Sequence, residues 1–204
     1  TDDNRRGIYI GRKKHITIER GSVHNCRNGV YIGYLDASQN YLANDVHVGG
    51  CHIYGNTMNE SVLAHAKNVI FDDCYIDAGT NDSSLIDIEA HANSAILQNI
   101  VFNNCYIKQN TGADIQCILN QYSTNDTKIT FQNCNIQSGI QITTMKNVSF
   151  IGSIMNGYIE IKDCENTLIS GCVFVVTDKG KNVSIYTRSY ASGKIAKYIT
   201  LENS

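Results

Sequence analysis

Apolar residues along this chain alternate in short runs and then slip phase. In Val69-Ile70-Phe71-Asp72-Asp73-Cys74-Tyr75-Ile76 the alternating set is Val69 and Phe71, then Cys74 and Ile76. Period-2 alternation predicts strands rather than helices. Three residues separate Phe71 from Cys74, so the chain must bend between them. The run recurs from Ile100 to Ile107 and from Ile129 to Ile136. Looser copies run from Val46 to Ile53, Val148 to Met155 and Thr167 to Phe174, with another from Ile199 to Ser204 and an early one from Gly21 to Asn28. The column through these copies reads Cys26, Cys51, Cys74, Cys105, Cys134, Ser153, Cys172 and Ser204. A variable repeat averaging about 25 residues predicts a solenoid.

The residue before each of these positions is Asn25, Gly50, Asp73, Asn104, Asn133, Gly152, Gly171 or Asn203. All are types that tolerate a left-handed backbone, as a sharp bend requires. A third strand is expected after each copy, at Gly29–Ile32, Val62–His65, Ile86–Glu89, Ile115–Ile118, Ile140–Thr143, Ile159–Lys162 and Val183–Tyr186. Three short strands and three corners per coil, stacked in parallel register, describe an all-β parallel β-helix of about eight coils. At about 4.8 Å per coil the rod is roughly 35–40 Å long. The chain contains no proline to interrupt its ladders.

Residues 1–204 are expected to form one β-helical domain. Arg6-Gly7-Ile8-Tyr9-Ile10-Gly11 matches Asn28-Gly29-Val30-Tyr31-Ile32-Gly33, and Ser204 falls in mid-coil. That pattern reads as part of a longer solenoid, cut in mid-coil at both ends. The net charge of −2 offers no basic footprint for nucleic acid. No apolar run is long enough for a membrane-spanning helix. The cysteine column is expected to hold free buried thiols rather than disulfides, packed as small hydrophobes. Arg12-Lys13-Lys14 reads as a solvated turn. The Asn-X-Ser/Thr triplets at Asn147 and Asn182 adjoin strands and are not read as glycan acceptors.

Candidate chemistry sits on the outward side of the third strand. One outward column is expected to run Tyr31, Leu63, Asp87, Gln116, Gln141, Glu160, Ser184. The next is expected to run Gly33, His65, Glu89, Ile118, Thr143, Lys162, Tyr186, with His91 two residues beyond Glu89. Asp87 and Glu89 would lie about 6.5–7 Å apart at Cα, near the lower limit for an inverting carboxylate pair. They are the candidate catalytic residues. His65, beside Glu89, would hold a carboxylate charged or help bind a cation. His65, His91, Gln116, Gln141, Glu160, Lys162 and Tyr186 are the candidate substrate-binding residues, since amides, carboxylates and tyrosines suit sugar hydroxyls and ring faces. Glu160 lies three coils from Asp87 and cannot pair with it. Asp73, although part of an Asp72-Asp73 doublet, is explained by the bend. No cofactor is expected; calcium is compatible with the acids but has no motif.

The apolar-x-apolar-x-x-Cys-x-Ile pattern with Gly-Val-Tyr-Ile strands resembles the repeats of pectate-lyase-like proteins, which are right-handed parallel β-helices. The Asn-rich, Pro-free coils look most like a bacteriophage tailspike or appendage shaft. The resemblance implies a right-handed helix and a module that binds and cleaves a cell-surface or cell-wall polysaccharide, as hydrolase or lyase. It also implies an extracellular or virion-surface location and a homotrimer. It carries over no catalytic residue: neither the calcium-binding acids and arginine of pectate lyases nor the Asn-Thr-Asp set of polygalacturonases is present. The alternative is a non-catalytic receptor-binding shaft, for which outward Leu63, Ile118 and Tyr186 would supply partner contacts. A calcium-stabilised adhesin would need Gly-Gly-x-Gly-x-Asp repeats, which are absent.

Overall fold

The computed structural model describes residues 5–33, 42–77, 84–90, 95–108, 115–119, 127–137, 139–175, 185–188 and 197–204. It is a stack of coils with three parallel sheets. Sheet A contains β1 (Arg6–Ile10), β4 (Asn28–Ile32), β7 (Asn59–Leu63), β10 (Ile86–Ala90), β13 (Ile115–Leu119), β16 (Ile140–Thr143), β19 (Ile159–Lys162) and β22 (Ile185–Arg188). Sheet B contains β2 (Lys14–Glu19), β5 (Ala43–Gly49), β8 (Ala66–Asp72), β11 (Leu97–Asn103), β14 (Ile129–Gln132), β17 (Lys146–Ile151), β20 (Glu165–Ser170) and β23 (Lys197–Glu202). Sheet C contains β3 (Ser22–His24), β6 (His52–Tyr54), β9 (Tyr75–Asp77), β12 (Tyr106–Lys108), β15 (Asn135–Gln137), β18 (Ile154–Met155) and β21 (Val173–Phe174). Every strand pairs in parallel with its equivalent one coil away. The expected parallel β-helix is the fold observed.

One interior column carries most of the bulk. Phe71, Phe102, Phe131 and Phe150 are fully buried and stack face to face, with centroids 4.8, 5.0 and 5.1 Å apart and planes within 11° of parallel. Strand spacing sets that distance.

The corner from sheet B to sheet C is constant. In all seven coils two residues separate the strands. The first adopts a left-handed conformation, with φ between 51° and 61° at Arg20, Gly50, Asp73, Asn104, Asn133, Gly152 and Gly171. The second turns inward. Its side chain does more than fill space. The Cys74 thiol lies 3.3 Å from the Val48 carbonyl and 3.4 Å from that of Asp72, and the Cys134 thiol lies 3.3 Å from both Phe102 and Gln132 carbonyls. Ser153 donates to the Ile151 and Phe131 carbonyls and accepts from the Cys134 N–H at 3.1 Å. In six of the seven coils the position therefore takes a small donor, which Cys and Ser provide and Ala does not. No described cysteine is in a disulfide.

The first coil departs from expectation. Ser22 and Val23 pair with His52 and Ile53, and the His52 N–H bonds to the Gly21 carbonyl just as the Tyr75 N–H bonds to that of Cys51. Gly21, not Cys26, occupies the cysteine column, and Arg20, not Asn25, makes the bend. Asn25 is left-handed, at φ 58°, but at the next corner, in the place of Gly55 at 63°. Cys164, unassigned by the repeat, is fully buried at a corner with its thiol 3.1 Å from the Lys162 carbonyl; burial raises its pKa to about 11.

Two buried polar positions have no repeat-level explanation. Thr167 lies in the inward column of sheet B between Val148 and Ile199, is 1% exposed, and its hydroxyl has no partner among the described residues. Thr167→Val is expected to stabilise the chain by about 1 kcal/mol, because it removes an unpaired buried hydroxyl without changing shape. A thermal melt that rises by about 2–4 °C would show it. Glu60 is the second. Its carboxylate accepts from the Asn56 N–H at 3.0 Å and from the Asn56 side-chain amide, while Asn56 also accepts from the Cys26 N–H. Burial outweighs these bonds and raises the Glu60 pKa from 4.5 to about 7, with Asp77 adding like charge. A raised carboxyl pKa means the folded state holds a proton that the unfolded state releases. The Glu60 contribution is thus full below its unfolded pKa and is lost as pH rises through about 7. Relative to the native chain, Glu60→Gln should gain about 1–3 kcal/mol of stability between about pH 5 and 8. A difference in unfolding free energy that stays constant with pH would contradict it.

Candidate functional site

Sheet A is flanked by every connection that varies in length. Between sheets C and A the spacers range from two residues, before β16, to ten, before β22; between sheets A and B they range from two, after β7, to ten, after β4. In a solenoid, variable connections collect around the working face. The outer side of sheet A is the face they border.

Register places one continuous outward column on that side: Tyr9, Tyr31, Val62, Asp87, Gln116, Gln141, Glu160, Tyr186. Asp87, Gln116, Gln141 and Glu160 stand as expected. Two positions differ. Asp87 pairs with Val62, not Leu63, because β7 ends at Leu63 and that residue points into the core. Glu160 pairs with Tyr186 rather than Ser184, which puts Lys162 beside Arg188. Tyr186 therefore belongs to the Asp87 column, and its side chain lies outside the described residues, as does that of Gln116. Ile118 keeps its register beside Glu89, with its side chain also undescribed. His91 lies wholly outside the described residues.

His65 is the clearest correction. The one-residue shift at β7 removes it from the position beside Glu89, and it is fully buried. Its Nδ1 accepts the Ile96 N–H at 2.9 Å, so Nε2 carries the proton, and that nitrogen has no partner among the described residues. Burial lowers its pKa, which keeps the ring neutral. Gly33, at φ 91°, lies so close that a Cβ there would come within 2.4 Å of the His65 backbone nitrogen. His65 is packed into a corner and does not face solvent.

One charged group on the outer side of sheet A is buried, Glu160, which an ordinary solvated face would not require. Glu160 is 2% exposed and pairs with Lys162 at 2.9 Å. Thr143 is buried beside them, next to Lys162 in register. Asp87 has a buried carboxyl oxygen with no hydrogen-bond partner among the described residues. Burial raises the Asp87 pKa from 3.8 to about 7, and the like charge of Glu89 adds to it. A carboxyl that holds its proton near neutrality has the chemistry of a general acid, and Glu89 stands two residues along the same strand. The other end of the face is apolar: Tyr31, Val62 and Ala64 form a buried cluster separate from the core. No three described His, Cys, Asp or Glu residues converge as a metal site would need.

Tyr9 and Arg6 were not singled out as functional, although the match of 6–11 to 28–33 already placed Tyr9 one coil before Tyr31. The Arg6 guanidinium lies over both rings, 4.8 Å from the Tyr9 centroid and 4.3 Å from that of Tyr31.

No protein-family model matches the sequence, and no curated protein matches it. Two solved structures resemble the fold. The mannuronan C-5 epimerase AlgE4 A-module of Azotobacter vinelandii aligns with 97% of this chain and 72% of its own length, at 13% identity and a TM-score of 0.53. The Agl-KA catalytic domain aligns with 92% of this chain at 10% identity and a TM-score of 0.50. This chain spans 47% of that domain's length. At these identities the likeness is one of fold, and by fold this chain stands with both as a parallel β-helix.

Proposed function

We propose that the outer side of sheet A is a polysaccharide-acting cleft in which Asp87 is the general acid and Glu89 its partner base. The observation that carries this reading is the buried carboxyl oxygen of Asp87, without a hydrogen-bond partner among the described residues, on a face that strand alternation would leave solvated. Its raised pKa keeps a proton available near neutral pH. In hydrolysis Asp87 gives that proton to the departing glycosidic oxygen as the C–O bond breaks. Glu89 takes a proton from the water that attacks the anomeric carbon. Their expected Cα separation of about 6.5–7 Å admits a water between substrate and base. Gln141, Glu160 and Lys162 extend the polar surface along the rod, with Gln116 and Tyr186 in register with it. The mannuronan that the AlgE4 module is named for is compatible with a glycan here but belongs to that protein. A lyase or epimerase would use the same face with Glu89 as base toward a ring proton.

A second reading is a non-catalytic shaft, trimeric in the manner of a phage appendage. Exposed Ile154 and Val173 on sheet C and Ile70 and Ile151 on sheet B favour it, because they offer apolar contact away from the cleft. A depolymerisation assay on a panel of bacterial surface polysaccharides and pectins separates the two. Reducing ends without unsaturated uronate mean hydrolysis, and absorbance of an unsaturated uronate means elimination. A folded chain that turns over nothing sinks the catalytic reading.

A further inference from the structure

Two carboxyls in the outward column of sheet A keep opposite company. Glu160 is 2% exposed, and the Lys162 ammonium stands 2.9 Å from it. Asp87 has one buried carboxyl oxygen with no hydrogen-bond partner among the described residues. Its neighbours in register are Val62 of β7 and Gln116 of β13. The charge that acts on it is Glu89, two residues along its own strand and of like sign. Among the described residues no cation acts on it.

Val62 is the unusual neighbour. It lies on the outward side of sheet A, yet it is 4% exposed and clusters with Tyr31 and Ala64 apart from the core. On the other side of Asp87 the column continues with Gln116, Gln141 and Glu160, all of them polar. A valine neither gives nor takes a hydrogen bond. One strand spacing from Asp87, about 4.8 Å at Cα, it fills the space from which a water or a polar side chain would solvate a carboxylate. A carboxyl with such a neighbour and a like charge nearby favours its neutral form.

From this geometry we infer that Val62 is a positioning residue for the Asp87 acid: it denies the carboxylate a donor on the β7 side and so keeps Asp87 in the form that gives a proton. This role rests on the cleft reading above and deepens it, because it names what sets Asp87 apart as the acid. Val62 acts through Asp87 and takes no part in bond making or breaking. The raised pKa of Asp87, with burial as its main cause, agrees with that role.

The test reads the carboxyl itself before any turnover. Carbon-13 NMR follows the aspartate carboxyl signals of the whole chain against pH, and the Asp87 signal is the one missing from Asp87→Asn. The native chain is compared with Val62→Thr, Val62→Ala and Val62→Ile. Threonine keeps the branched shape and adds a hydroxyl that can donate to a carboxylate, alanine makes room for water, and isoleucine keeps the place apolar. Native Asp87 should titrate near 7. Val62→Thr should lower that midpoint by about one unit or more, and Val62→Ala should move it the same way. Val62→Ile should hold it near the native value. If Val62→Thr does not fold, Val62→Ala carries the test. On a polysaccharide that the native chain cleaves, the alkaline limb of the pH profile should move with the midpoint in each variant. A valine that serves packing alone would change the melting temperature and leave the midpoint in place. Equal midpoints in the native chain and the folded threonine and alanine variants overturn the role of Val62. A native Asp87 that titrates in the ordinary carboxylate range overturns it too. Midpoints that move as expected in a chain that cleaves no polysaccharide uphold the hold of Val62 on Asp87 and overturn the cleft reading alone.

Discussion

Asp87→Asn should cost roughly 10²–10⁴-fold in polysaccharide turnover while the chain becomes more stable at alkaline pH. The two halves have one cause. Asp87 sits with a buried, unpaired oxygen, and burial with Glu89 beside it holds its pKa near 7. Ionised there, it destabilises the fold; protonated, it supplies the acid. The folded state binds a proton that the unfolded chain has released, so the stability it contributes is full below about pH 4 and lost as pH rises through about 7. Asparagine keeps the shape and removes both the proton and the charge. The variant should therefore lose activity at every pH and melt higher than the native chain above neutrality. Native turnover should fall on the alkaline side with an apparent pKa near that of Asp87, in pH profiles taken over the range where the fold persists. A loss of activity accompanied by a lower melting temperature would point to a structural role instead. Undiminished activity would move the acid to another residue.

Phe102→Ala should be the most damaging single truncation in the core. Phe102 is fully buried and stacks on two rings, Phe71 at 4.8 Å and Phe131 at 5.0 Å. Removing a buried phenylalanine costs about 3–5 kcal/mol in transfer and cavity terms. Two aromatic contacts are lost with it, each about 0.5–1.5 kcal/mol. The cavity cannot collapse easily, because strand pairing on both sides fixes the coil spacing. The melting temperature should drop by roughly 10 °C or more. Phe150→Ala, with a single stacked phenylalanine at Phe131, should cost less. Comparable losses at both positions would mean that stacking adds nothing beyond buried area. Denaturant unfolding of the two variants under one set of conditions decides between them.

The fold was legible because its demands repeat. Seven corners needing a left-handed residue, six of them followed by a cysteine or serine, leave a visible mark in sequence, even when spacings vary. Errors arose where the mark was blurred. In the first coil Gly21 stands at the donor position, so Cys26, at another corner, looked like the missing thiol. At the end of β7 and just beyond it, Ser61, Val62, Leu63 and Ala64 are small or apolar in succession, so alternation gives no phase and the column slips by one. At β22 the slip was two residues, which leaves inside and outside unchanged and so cannot be seen from polarity. The site was less legible than the fold. Alternation separates inward from outward, but burial on the outward side depends on how the variable connections lie. That is why the burial of Glu160 is not legible from its polar character, whereas His65 is misplaced by the same one-residue slip at β7.

The two-residue corner between sheets B and C has a consequence for how such a chain can change over generations. A residue gained or lost there would turn the following strand inside out and misplace the small donor that caps the carbonyls. Gains and losses beside sheet A leave the ladders in register and alter only what borders the cleft. Heritable length variation is thereby steered away from the spine and toward the surface that meets a ligand, so lineages of this fold can diversify what they bind while inheriting the same interior.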